Sequence, residues 1–135
     1  MRRRQRRGIP DEGIVMSVSA FLPGEESDQR RAALEAELAR FLEFLRAHYA
    51  PRRVILFGSL AHGVLHPDSD LDLVVVMPSS RPFLDRIGEL LERFRPRVGM
   101  DLLVYTPEEF EEIRNRPFFQ EEVLAKGVVL YESSS

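Results

Sequence analysis

ILFGSLAHGVLHPDSDLDLVVV, residues 55 to 76, is two apolar runs joined by a polar loop. The first run, part of RVILF at 53 to 57, is short, continuous and rich in β-branched residues, the pattern of a buried strand. It stops at Gly58-Ser59. Ten residues later Asp70-Leu71-Asp72 opens a second apolar run, Leu71 to Met77, which reads as another strand. Alternate side chains of a strand share a face, so Asp70 and Asp72 point the same way, about 7 Å apart at Cα, while Leu71 and Leu73 turn to the core.

Two carboxylates on one face repel each other unless a cation lies between them. Mg2+ favours one or two carboxylates completed by the phosphates of a nucleotide, so the pair is a candidate metal site. Gly58 lets the backbone approach a ligand, and Ser59 offers a hydroxyl and free N–H groups to phosphate oxygens at the start of a short helix. Gly63 lets the loop turn. Ser69, next to the acidic pair, is grouped with Gly58, Ser59 and Gly63 as a nucleotide-binding candidate. A third acid, Asp101, stands in the apolar run VGMDLLVY (98 to 105), where a charge is costly unless paired or metal-bound. Asp70, Asp72 and Asp101 at the ends of two adjacent strands can hold two metal ions, one activating a hydroxyl and one stabilising a leaving phosphate. The implied chemistry is transfer of a nucleotide to a hydroxyl, with Asp101 beside the attacking group as proton acceptor.

The remaining periodicities place these residues in a fold. Leu34, Leu38, Phe41, Leu42 and Leu45 predict an amphipathic helix from Asp28, as N-cap, to Tyr49. A second helix is expected over 81 to 95 and a third strand over 98 to 105. TPEEFEEIRNR starts with a Thr cap, Pro at the first helical position and acids in the first turn. PFFQEEVLAKG reads as a last helix ending at Gly127, and VVLY (128 to 131) as a closing strand. The fold class is α/β (α+β): one small mixed sheet packed with helices over 29–135, behind a basic leader at 1–28. Phe118 and Phe119 are adjacent and cannot share one helix face, which leaves one ring for a partner contact.

Composition narrows the function classes. With 135 residues there is room for one domain and none for a separate acceptor-binding lobe. The net charge of −3 conceals five arginines in the first seven residues; the rest of the chain carries 14 basic against 22 acidic side chains, which gives no support to general nucleic-acid binding. RRRQRR reads as a solvated tail in preference to a phosphate-binding arm, and Met16 is an alternative start. Absence of cysteine and of long apolar runs fits a cytoplasmic protein.

Gly58-Ser59, ten residues, Asp70-Leu71-Asp72 and a third acid in a later strand resemble the G-S-x10-D-x-D signature of the DNA polymerase beta superfamily of nucleotidyltransferases. The size points to the minimal nucleotidyltransferases, and the resemblance runs from about Arg53 to Tyr131. It implies ATP as nucleotide substrate, two Mg2+ ions at Asp70, Asp72 and Asp101, and a HEPN-domain toxin as partner, which the chain as antitoxin adenylylates, expectedly on tyrosine. Two alternatives stand beside this: an antitoxin that acts only by docking, and transfer to a small molecule such as an aminoglycoside, for which the chain leaves no acceptor pocket unless a homo-oligomer supplies it. In one feature the chain departs from the resemblance. Many relatives have basic residues in the loop after Gly-Ser, in a pattern like G-S-R-A-R-G, whereas Leu60 and His62 stand at the two arginine positions here, with Arg52, Arg53 and Lys126 as basic residues that could compensate.

Overall fold

The computed structural model describes residues 25–63, 65–66 and 68–133; the arginine run, Met16 and most of the expected leader lie outside them. Helix α1 spans Glu25–His48 and strand β1 Arg53–Phe57; helix α2 is the short Gly58–His62, followed by β2 at Leu71–Val76. Helix α3 (Phe83–Phe94), β3 (Met100–Tyr105), α4 (Pro107–Ile113) and the single turn α5 (Pro117–Phe119) come next, and a π-helical turn at Gln120–Leu124 leads into β4 (Val128–Glu132).

The four strands form one mixed sheet in the order β3-β2-β1-β4. β1 is antiparallel to both neighbours, and β2 and β3 are parallel, joined by α3 as their crossover. Strand alternation sorts the core into two layers. Val54, Leu56, Leu73, Val75, Leu102, Val104 and Leu130 face α1 and α3, where Leu34, Leu38, Phe41, Leu45 and Leu90 are fully buried. Ile55, Val74 and Val76 point the other way, against Phe110, Phe119 and Val123. Helices therefore cover both faces.

Two local expectations are corrected. Asp28 is not the N-cap of α1, because the helix already runs from Glu25 and Asp28 lies exposed inside its first turn. The last helix is not uniformly α: after α5 the backbone widens by one residue per turn, Ala125 N–H bonding Gln120 C=O at 2.8 Å. The widened turn buries Val123 and brings Gly127 onto β1. The Thr106 cap forms as expected, with a full capping box to Glu109. Among the described residues no helix is long and apolar enough to cross a membrane.

Candidate active site

Sheet register assembles the site. Asp72 of β2 pairs with Phe57 of β1 on one side and with Asp101 of β3 on the other, so one row across the sheet contains both carboxylates and ends beside Gly58. Because β2 and β3 run parallel, their N-terminal ends coincide, and the C-terminal end of β1 meets them there. Asp72 and Asp101 lie on the face of Val74 and Leu103, at its uncovered end.

The two acids are within hydrogen-bonding reach of each other. Burial raises the Asp72 pKa to about 6, helped by the hydrogen bond with Asp101 and by the charges of Asp101 and Asp70. Asp72 therefore keeps its proton into a range where an ordinary carboxyl group is ionised. Asp70 stands apart from the pair. Its carboxylate lies against Gly99 and 3.7 Å from the Arg30 guanidinium, so the three acids do not converge on one point. Among the described residues no three His, Asp or Glu side chains form a ready metal cage. The donor set nevertheless fits a divalent cation: an oxygen-only pair disfavoured by mutual repulsion, with a third carboxylate two residues along the chain from Asp72, matches the one or two carboxylates Mg2+ takes alongside phosphate.

Glycine is required at two approaches to these acids. Gly58 has φ 77°, in the left-handed region, and a Cβ there would overlap the Asp72 carboxylate. A Cβ at Gly99 would overlap the carboxylate of Asp70. Ser59 follows Gly58 in the first turn of α2, half-buried, beside N–H groups that this turn leaves without helical acceptors. Gly63 ends α2 at φ 82° and donates its N–H to Ser59 C=O at 3.0 Å, so its task is the turn. Ser69 is buried, and its hydroxyl accepts the His66 N–H at 2.8 Å, tying the loop before Asp70.

The basic residues fall differently from expectation. Leu60 is fully buried in the core, so the position is apolar because α2 packs there, and His62 is exposed. Arg52 and Arg53 cannot compensate, since Arg53 pairs with Val76 at the opposite end of the sheet, about 13 Å along the strand from Phe57. Lys126 lies beside Gly127 at the site end, bonded to Glu122 at 3.2 Å. Among the described residues Arg30 of α1, which sequence reasoning missed, is the cation that reaches Asp70. It donates from Nε and Nη2 to Ser69 C=O at 2.9 and 2.6 Å. The available signal was helical spacing: Arg30 precedes buried Leu34 by four residues and so shares its face. Gly99, two residues before Asp101, was equally unread.

With this geometry in place the comparisons become decisive. The model of the nucleotidyltransferase domain matches residues 38–132. The chain belongs to this family. The nucleotidyltransferase domain of this chain shares its fold with a candidate nucleotidyltransferase from Sulfolobus solfataricus at TM-score 0.62 and 19% identity, over 84% of this chain and 93% of that one. A mutant of the toxin–antitoxin MntA–HpeT superposes at TM-score 0.51 and 21% identity, over 72% of this chain and 73% of that one. No curated protein matches the sequence. The enzyme class expected from the Gly-Ser and Asp-x-Asp spacing, a nucleotidyltransferase, is thereby established, as is the small mixed-sheet fold.

Proposed function

We propose that this nucleotidyltransferase transfers AMP from ATP to a hydroxyl group of a partner protein, in the manner of the antitoxin of a HEPN/MNT pair. The observation that carries the reading is the Asp72–Asp101 pair, set in register across β2 and β3 and lying against the glycine that opens α2. A carboxyl group as costly to ionise as Asp72 has a use wherever positive charge or a proton must be received. Likeness of fold to the MntA–HpeT toxin–antitoxin supports a protein acceptor.

In this reading Gly58 and Ser59 bring backbone N–H groups and a hydroxyl to the triphosphate, where no Cβ stands in the way. Mg2+ held by Asp72 and Asp101, with Asp70 nearby, supplies charge neutralisation of the phosphates and a lowered hydroxyl pKa. The acceptor oxygen bonds to the α-phosphorus, the α–β P–O bond breaks and pyrophosphate leaves. Asp101 receives the acceptor proton, and its exposure lets an incoming hydroxyl reach it.

The test is to incubate the purified chain and the product of its neighbouring gene with ATP and Mg2+ and weigh both proteins intact. The expected result is one added AMP on the neighbour, absent with Asp72→Asn. A stable complex that gains no mass would leave the docking antitoxin as the function.

A further inference from the structure

We infer that Arg30 is a phosphate-binding residue, which pairs with Asp70 while the site is empty and offers its remaining donors to the triphosphate when nucleotide arrives. The inference rests on the nucleotidyl-transfer reading and names a residue of α1 that the Gly-Ser and Asp-x-Asp motifs do not contain.

The geometry is that of an anchored cation. Nε and Nη2 of Arg30 both bond Ser69 C=O, at 2.9 and 2.6 Å, which fixes the plane of the guanidinium against the loop leading into Asp70. The same Nη2 lies 3.7 Å from Asp70 Oδ1: an ion-pair distance, beyond a good hydrogen bond. Arg30 thus spends two donations on a neutral carbonyl, and the three remaining of its five N–H groups have no acceptor among the described residues. The side chain is only 22% exposed, so its position is set by packing and the anchor more than by Asp70, which is 47% exposed. The loop after Gly58, meanwhile, has no arginine or lysine, with Leu60 in the core. A guanidinium fork near the acids supplies the planar, bidentate group suited to phosphate oxygens.

Two effects of opposite sign follow. Without nucleotide, a fixed positive charge 3.7 Å from Asp70 opposes a second cation at the acids. With nucleotide, the same charge favours the triphosphate. A residue that merely braced the loop would lower both affinities together when removed.

The experiment measures Mn2+ binding to the metal-free full chain, and separately ATP binding at saturating Mn2+, by titration calorimetry in the wild type, Arg30→Gln, Arg30→Lys and Asp72→Asn. Arg30→Gln is expected to bind Mn2+ alone about threefold tighter, the scale of a partly exposed ion pair, and ATP about fivefold more weakly. Arg30→Lys keeps the charge without the fork, so Mn2+ affinity stays at the wild-type level while ATP affinity falls about threefold. Should Arg30→Gln not fold, the lysine variant alone carries the test. Weaker Mn2+ binding in either Arg30 variant, or ATP affinity unchanged in both, overturns the assignment. Undiminished Mn2+ binding by Asp72→Asn overturns the site reading itself, whatever Arg30 does.

Discussion

At Asp72 the fold tolerates a carboxyl group whose ionisation it disfavours. The shift from 3.8 to about 6 corresponds to about 3 kcal/mol at full effect, and partial exposure reduces this to about 1–2 kcal/mol. A raised carboxyl pKa means that the folded state binds the proton more tightly than the unfolded one. The cost is therefore absent below about pH 3.8, grows through the interval and is complete above about pH 6. Metal-free Asp72→Asn should accordingly melt about 3–8 °C above the wild type at pH 7.5 and level with it at pH 3.5, while losing transfer activity; calorimetry at the two pH values with chelator present checks this. Gly58→Ala works in the opposite direction. With φ at 77° and the Asp72 carboxylate in the place of the new methyl, it should cost about 2 kcal/mol or more and abolish transfer, as denaturant unfolding and the mass assay would report. Gly-Ser, Asp70-Leu71-Asp72 and Asp101 were each singled out from residue type and spacing, and the structure brings Gly58, Asp72 and Asp101 together. Which acids would pair was not, because Asp101 meets Asp72 only through the parallel register of β2 and β3.

Elements are held by a few buried polar links. Arg86 of α3 is only 7% exposed, yet it donates to the backbone C=O of Arg81 and Val104 and, through both terminal nitrogens, to Glu109 in the first turn of α4. Glu109 also closes the capping box with Thr106. Its pKa is lowered, first by the Arg86 hydrogen bonds and then by Thr106, so this link contributes stability above the ordinary carboxyl range and loses it as pH falls through the lowered value. Glu109→Gln should cost about 1–2 kcal/mol at pH 7, and the difference from wild type should close as pH is lowered toward 3 in urea unfolding. The π-helical turn sets the other constraint. A Cβ at Gly127 would overlap Val123 C=O and press on Leu56 C=O, so Gly127→Ala should destabilise by about 2 kcal/mol or more, measured the same way. Most element boundaries came from periodicity, since α1, the strands and the Thr106 cap are local patterns. The π turn had no such signature: PFFQEEVLAKG reads as an ordinary helix, and its widening follows from how Phe119 and Val123 bury against Ile55, Val74 and Val76.

Across the whole molecule, one end of the sheet carries the acids and Gly58, while Arg52 and Arg53 stand at the other. Ligand binding at the acidic end should be linked to global unfolding, because the row Phe57–Asp72–Asp101 crosses three of the four strands. The Mg2+ complex of ATP, at about a hundred times its Kd, should stabilise the chain by about 3 kcal/mol, and chelator should remove the effect; differential scanning fluorimetry of wild type beside Asp72→Asn reads both. The sequence by itself determined the strands, most of the helices, the mixed-sheet class and the candidate residues of the site, because each of these is carried by neighbours within a few residues: period-two and period-3.6 burial, glycine at a turn, acids at a strand end. Only the tertiary structure decided that Arg30 reaches Ser69 and Asp70 across 39 residues of chain, that Leu60 belongs to the core and that Arg53 lies too far away to serve. Those facts depend on strand register and on the packing of α1 over the sheet, which are fixed by contacts between distant segments and leave no local pattern to read.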